Sequence, residues 1–275
     1  MGKLVVFWSP LHGQSKVTAS MAAVSLALNA TTKQKVCVTH TQTNMADLEG
    51  MFNYRLSSGR QKELYSGTGL SALLMSFKKG NIGRDTFERS SIELEPTDGL
   101  YLIPGIERNV QASKETDDIL YTLLTRNLVN NFNWVFVDLA SGTYNQLSRR
   151  LIEKADVFVV TLSQNMSIWN NAIKQAREWR RDKGIFYLVG GYDLDSKYST
   201  ANIARIYHNT GVNKNTIGCV PFCTDFMDAI SDGDISSFYY KNEKAKREDT
   251  NGMFIKCCQE AAFKIQRLAE RSEQK

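Results

Sequence analysis

Prolines are scarce and far apart, four in 275 residues (Pro10, Pro96, Pro104 and Pro221), and the 18 glycines are equally scattered. No linker therefore marks a domain boundary, and the chain holds neither a fixed-period repeat nor a low-complexity tract. With 42% hydrophobic residues it can bury one large α/β core, so a single domain over 1–275 is expected. Histidine is confined to His12, His40 and His208, too dispersed to suggest a histidine metal centre. The five cysteines are an odd count. Cys219 and Cys223 are separated by three residues, and Cys257 and Cys258 are adjacent, a spacing that suits neither a zinc site nor a simple bridge. Buried free thiols in a reducing compartment are expected. No apolar run approaches the ~18 to 20 residues of a membrane span. The opening "MGKLVVFW" enters a strand-like run with no room for a signal peptide, so a cytoplasmic protein is expected. Excess charge is small too: 34 Lys and Arg against 29 Asp and Glu give +5 and a pI near 8.8. Nucleic-acid binding is only one of several explanations for that balance. The locally rich stretches "REWRRDK" and "KNEKAKRE" are expected on solvated helix faces.

What is present is an alternation. Near-continuous apolar runs at 3–8, 35–41, 99–105, 133–139, 156–162, 184–191 and 215–222 have the pattern of strands covered on both faces. Helical patterns fall at 17–29, 43–56, 68–79, 114–131, 144–154, 165–182, 199–210, 224–232 and 250–271. Alternation of this kind implies βαβ units and a doubly wound, mostly parallel sheet in a three-layer α/β/α fold. Ligands bind such sheets outside the carboxyl ends of the strands. Attention falls on the loops 9–18, 39–44, 104–109, 138–144, 190–196 and 221–225. In the last helix, Phe254, Cys258, Ala261, Ile265 and Leu268 share a helical stripe. The tail "ERSEQK" is polar and of mixed charge, so packing on the domain is expected in preference to a membrane-surface anchor.

"VVFWSPLHGQSKVTAS" has the layout of a strand, a phosphate-cradling loop and a helix. Such a loop works because successive backbone N–H groups and a helix N-terminus converge on an anion, a Lys neutralises charge and a hydroxyl holds Mg²⁺. The candidate pieces are Gly13 for close backbone approach, Lys16 for phosphate, and Ser15 or Thr18 on the metal side. The alternative is an ordinary β–α turn carrying a solvated Lys. Asp138, ending a buried strand, is costly there unless paired or used, either in a site or by capping the next turn with Ser141 and Thr143.

Taken together, "LHGQSKVT", "NWVFVDLASGT", "GLYLIPG", "EKADVFVVTLSQNMSIWNNAIK" and "NTIGCVPFCTDFMDAISDGD" resemble, in order and spacing over about residues 3 to 240, the ParA/MinD family of deviant P-loop ATPases, including its pilus-associated TadZ branch. The resemblance implies a P-loop NTPase-like fold that binds ATP and Mg²⁺. The phosphate loop would comprise Gly13, Gln14, Ser15, Lys16, Val17 and Thr18. Asp138 would be the catalytic carboxylate and, with Thr18, the metal side. Phe222 and Asp225 would lie near the base, though Asp225 also suits a helix N-cap. Asp193 and Asp195 suit a turn better than a base contact.

The departures from the family pattern KGGxGK[ST]T are as informative. Its cross-subunit lysine falls on Leu11, the Gly before the phosphate Lys on Ser15, and the metal hydroxyl on Val17. Of DxDxQ at the end of the second strand, Thr39 and Thr41 replace the acids. A loop register shifted by one or two residues puts Gln14 or Val17 in place of the phosphate Lys. The expectation is weak ATP binding with very slow or absent turnover. A homodimer across the nucleotide face is also expected, with Leu11 and Trp8 supplying apolar contacts. Such a protein would be a localisation switch whose partners belong to a Flp pilus or secretion assembly. Many TadZ-like proteins carry an N-terminal receiver-like domain, and this sequence begins at the first strand. The alternatives are a DNA-partitioning ATPase, for which +5 is modest, and a nucleotide-free scaffold.

Overall fold

The computed structural model describes residues 1–42, 47–52, 67–106, 110, 113–142, 145–180 and 184–271. Eight strands form one sheet: β1 (Lys3–Trp8), β2 (Val36–His40), β3 (Ile92–Glu93), β4 (Leu100–Leu102), β5 (Trp134–Asp138), β6 (Val157–Leu162), β7 (Ile185–Tyr192) and β8 (Ile217–Pro221). Their order is β3-β4-β2-β5-β1-β6-β7-β8, and every pairing is parallel except β3 with β4. The doubly wound α/β/α architecture expected from the sequence is therefore observed. The two-residue edge strand β3 escaped the sequence reading because it is too short to show a period.

The helices are α1 (Val17–Thr32), α2 (Leu48–Met51), α3 (Gly69–Lys78), α4 (Arg84–Ser90), α5 (Lys114–Thr122), α6 (Leu128–Asn131), α7 (Gln146–Lys154), α8 (Trp169–Arg180), α9 (Thr200–Ile206), α10 (Thr224–Asp232), α11 (Ile235–Asn242) and α12 (Thr250–Arg271). A π-helical turn at Leu123–Asn127 joins α5 to α6, so the long helix expected over 114–131 is present with one widened turn. Helices α4 and α11 had not been anticipated. Most of the helix expected over 43–56 lies outside the described residues.

Strand alternation divides the core. Val5, Phe7, Val36, Val38 and Phe136 face the layer of α1, α11 and α12. Leu4, Val6, Trp8, Val135 and Val137 face the layer of α5 to α9. Helix α1 is buried on nearly all sides, which explains why "MAAVSLALNA" is small and apolar all round rather than striped. Its outer cover is α12, which buries Phe254, Ile255, Cys258, Ala261, Ala262, Ile265 and Ala269 against α1 and β8. Each large side chain so buried contributes roughly 1.5 to 3 kcal/mol.

Two expectations are corrected here. Trp8 is fully buried, tilted against Trp179 at 4.8 Å and Phe158 at 6.1 Å, so it cannot make a dimer contact. In "REWRRDK", Arg180 is not a solvated residue. Its guanidinium donates to the carbonyls of Ile152 at 2.5 Å and Asp156 at 3.1 Å, closing the ends of α7 and the turn before β6.

Candidate functional site

The loop from Ser9 to Lys16 links β1, central in the sheet, to α1. It is stapled from inside. Ser9 Oγ donates to Ser15 Oγ at 3.1 Å with both side chains buried, and it accepts from the Leu11 amide at 3.3 Å. The Ser9 carbonyl accepts from the Gly142 amide at 3.0 Å, which joins this loop to the one after β5. Gly13 has φ +75, a conformation natural for glycine. Among the described residues, the first helical amide with a partner is that of Ser20, 2.9 Å from the Lys16 carbonyl. The amides of Val17, Thr18 and Ala19 are thus the orphan donors of a sixteen-residue helix, with the positive end of its dipole at the loop.

One flank of this loop is polar and buried. Phe7, Asp138 and His40 are in register across β1, β5 and β2, which puts the last two at the carboxyl edge of neighbouring strands. Thr18 Oγ1 donates to Asp138 Oδ2 at 2.5 Å. Asp138 is completely buried, and its Oδ1 has no hydrogen-bond partner among the described residues. Burial pushes its pKa up to about 6, against the pull of the Thr18 hydrogen bond and the nearby His40. Among the described residues the partner of this carboxylate is Thr18, far away in sequence, rather than Ser141; Thr143 lies outside them. His40 Nε2 lies 2.8 Å from Glu49 Oε1, which also accepts from the Gly105 amide at 2.9 Å. Burial opposes a charged imidazole, but the hydrogen bond and charge of Glu49 override it, and the His40 pKa is raised. Burial likewise acts against an ionised Glu49, and the His40 hydrogen bond overrides it, leaving that pKa lowered. Gly105 is needed for space, because a Cβ there would come within 2.2 Å of the His40 ring.

The other flank is formed by β7 and β8. The pairing of β7 with β8 is irregular between Gly190 and Tyr192. A Cβ on Gly190 would lie 2.2 Å from the Ser15 carbonyl oxygen, and one on Gly191, at φ +61, would lie 3.1 Å from Lys16 Cδ. The "GG" pair therefore lets the loop pack on the end of β7. Lys16 occupies the left-handed region (φ 49, ψ 46), unfavourable for a residue with a Cβ. Its ammonium lies 3.5 Å from Met227 Sδ and 5.7 Å from the ring centroid of Phe222.

The structure thus brings Gly13, Gln14, Ser15, Lys16, Val17, Thr18 and Asp138 together, and seats Phe222 beside Lys16. It places the components differently from one another. Ser15 and Val17 are buried, Gln14 is exposed, and Lys16 extends toward the β8 side. Phe222, directly after β8, is 53% exposed. Asp225 stands in the first turn of α10, where Cys223 is the N-cap, and its carboxylate accepts from Asn251 of α12 at 2.8 Å. Asp193 Oδ1 accepts from the Asp195 amide at 2.9 Å, as in a turn. The His40–Glu49 pair and the Ser9–Ser15 staple went unnoticed in the sequence. The available signal was a histidine closing an otherwise apolar strand, and its partner arrives only through the fold.

The backbone suits a bound phosphate, with orphan amides at a helix N-terminus and a glycine of positive φ, whereas the neighbouring carboxylate would repel one unless a cation lay between them. One unpartnered oxygen of Asp138 remains for a cation, which would neutralise phosphate charge.

The eight-stranded, mostly parallel sheet with flanking helices matches the fold of solved ParA and MinD ATPases. Many solved structures share it. A ParA family ATPase from Chlorobium tepidum TLS superposes with a TM-score of 0.68 at 13% identity, covering 96% of this chain and 99% of that one. The septum site-determining protein MinD from Pyrococcus horikoshii OT3, complexed with Mg-ADP, gives 0.67 at 14% identity, with 99% of each chain covered. A plasmid partition protein from Borrelia burgdorferi B31 bound to AMPPNP gives 0.65 at 13%, with 97% and 99% covered. No family model and no curated protein matches the sequence. At these identities the likeness establishes the fold. Among the described residues, no helix is long and apolar enough to cross a membrane.

Proposed function

We propose that this chain is a ParA/MinD-like positioning protein, a nucleotide-binding switch that places cellular cargo and hydrolyses ATP slowly or not at all. The observation that carries the reading is the contact of Thr18 with the buried Asp138 beside the orphan amides of α1, in a fold whose solved examples hold Mg-ADP and AMPPNP. In this reading, the amides of the 11–18 loop hold the phosphates, Asp138 and Thr18 form the Mg²⁺ side, and Phe222 offers an exposed ring to the base. The position normally filled by a metal-binding hydroxyl is the buried Val17, and Lys16 is turned toward β8. Both features support slow turnover. The nucleotide-bound form is a homodimer across this face, to which Leu11, partly exposed, contributes an apolar contact. The cargo we favour is a pilus or secretion assembly, as in the TadZ branch.

One observation supports a second reading, a scaffold that keeps the fold without nucleotide. The Lys16 ammonium is already engaged by Phe222 and Met227. A calorimetric titration with ATP and ADP, with and without Mg²⁺, separates the two. Saturable binding, with ATP shifting the chain to a dimer in light scattering, is the expected result. No heat at millimolar nucleotide establishes the scaffold, and brisk Mg²⁺-dependent hydrolysis abolished by Asp138→Ala contradicts the slow switch.

A further inference from the structure

Lys16 closes the 9–16 loop, and its side chain leads away from it. The stem crosses the bare backbone of Gly191, where a Cβ would lie 3.1 Å from its Cδ and 3.3 Å from its Cε. The ammonium ends 5.7 Å from the ring centroid of Phe222 and 3.5 Å from Met227 Sδ. Of these partners Phe222 is the fixed one. Its amide donates to the Tyr192 carbonyl at 2.8 Å, which ties it to the end of β7, and Cys223, next in the chain, is buried. The residue itself is exposed, as is Lys16, whose flexible four-carbon stem makes it the partner that can move.

Two attractions are open to this ammonium, and they exclude each other. Over an exposed ring a cation gains a modest energy from the negative face of the π-system. While it lies there, that face is closed to a stacking base. The second attraction is an anion on the orphan amides of Val17, Thr18 and Ala19, which follow Lys16 directly in the chain. Charge on charge is the stronger of the two, so an anion in the cup would draw the ammonium off the ring.

We propose that Lys16 and Phe222 form a latch that couples the two ends of a bound nucleotide: phosphate in the 11–18 cup draws the ammonium away, and the ring then opens to the base. The latch rests on the nucleotide-binding reading given above and adds a selectivity to it. A nucleoside without phosphates meets a covered ring, whereas a di- or triphosphate uncovers its own base site. The coupling is reciprocal, so a base on the ring also leaves the ammonium to the phosphates. The loop amides still hold the phosphate, and the latch sets how readily the base is accepted. For an exposed contact of this kind, the covered ring should lower nucleoside affinity about three- to sixfold.

The test follows the full chain by NMR as adenosine is added, with and without saturating inorganic pyrophosphate, beside a titration with ADP. In protein carrying methyl-labelled methionine, pyrophosphate alone should shift the Met227 methyl signal, because the ammonium leaves its sulfur. Adenosine should bind about three to six times more tightly once pyrophosphate is present. In Lys16→Gln the ring is open from the start. Adenosine should then bind as tightly without pyrophosphate as it does to the wild type with it, and the enhancement should vanish. If that variant loses its native circular dichroism, Phe222→Leu takes its place, with weak adenosine binding that pyrophosphate does not improve. An unmoved Met227 signal, an adenosine affinity that pyrophosphate leaves unchanged, or an enhancement that survives either substitution overturns the latch. In those cases ADP binding keeps the nucleotide reading in place. Failure of ADP itself to bind overturns both.

Discussion

The two flanks of the 9–16 loop are built on opposite terms. Toward β5 and β2, Thr18, Asp138, His40 and Glu49 are held by short hydrogen bonds beneath the surface, and one carboxylate keeps an unpartnered oxygen in a site that gives its charge little solvation. Toward β7 and β8, Gly190 and Gly191 leave room for the loop, and Lys16 lies exposed over Phe222 in a strained backbone conformation. Burial makes the ionised Asp138 carboxylate costly and pushes its pKa up to about 6, the pattern found where a carboxylate is put to use. On the second flank the Lys16 ammonium lies against Phe222 and Met227. Phosphate affinity should therefore rest on backbone donors, which depend on the shape of the loop rather than on its side chains.

The largest effect should come from the packing that gives the loop its shape. Gly190→Ala pushes a methyl against the Ser15 carbonyl, a backbone atom that cannot swing aside. A loss of about 3 kcal/mol in urea denaturation is expected, together with weakened nucleotide binding. An unchanged midpoint would show that the loop does not lean on β7.

Asp138→Asn should act in the opposite direction on stability. The folded-state pKa is raised to about 6, so the folded chain holds this proton more tightly than the unfolded chain. The stabilisation this gives is full below the unfolded value near 4 and is lost as pH rises through about 6. At pH 8 the amide should therefore be more stable than the carboxylate by about 2 kcal/mol, and the decline between pH 4 and 6 should flatten. Lower stability of the variant at pH 8 would mean that Asp138 is a structural anchor.

Glu49→Gln should cost about 1 to 2 kcal/mol, since it leaves His40 buried beside a neutral partner. The sign runs two ways. Stability from Glu49, whose pKa is lowered, is lost as pH falls through its folded value, and stability from His40, whose pKa is raised, is lost as pH rises through its own. Stability against pH should lose both slopes in the variant, and a parallel profile would sink the pairing. The smallest effect is expected from Lys16→Gly, which relieves a left-handed residue and should raise stability by about 1 kcal/mol in thermal unfolding. A fall would show that the contacts with Phe222 and Met227 outweigh the strain.

The contrast between the flanks also explains what could be read before the structure was known. Buried parallel strands announce themselves as apolar runs, and β1, β5 and β6 came within a residue or so of their observed bounds. Helices α10 and α12 were placed to the residue, because turn signals and a helical stripe agreed there. Asp138 was legible as a charge ending an apolar strand. Its partner Thr18 lies 120 positions away; the layout of the loop offered Thr18 or Ser15 for the metal side, whereas the family pattern puts the metal hydroxyl on Val17. The direction of Lys16 was illegible, since it depends on a bulge in β7 and on Met227, which no local pattern connects to the loop. His40 and Glu49 are nine residues apart, and only the placement of α2 beside the end of β2 makes them a pair.

The most direct test of a backbone-held phosphate is a crystal structure of the chain grown with ADP and Mg²⁺. The account predicts phosphate oxygens in the cup formed by Leu11 to Thr18, within hydrogen-bond distance of the loop and α1 amides, with Asp138 facing the cation. The same density should persist in Lys16→Met. A cup left without phosphate in the wild type at saturating ADP, or phosphate that vanishes when Lys16 alone is replaced, would contradict it.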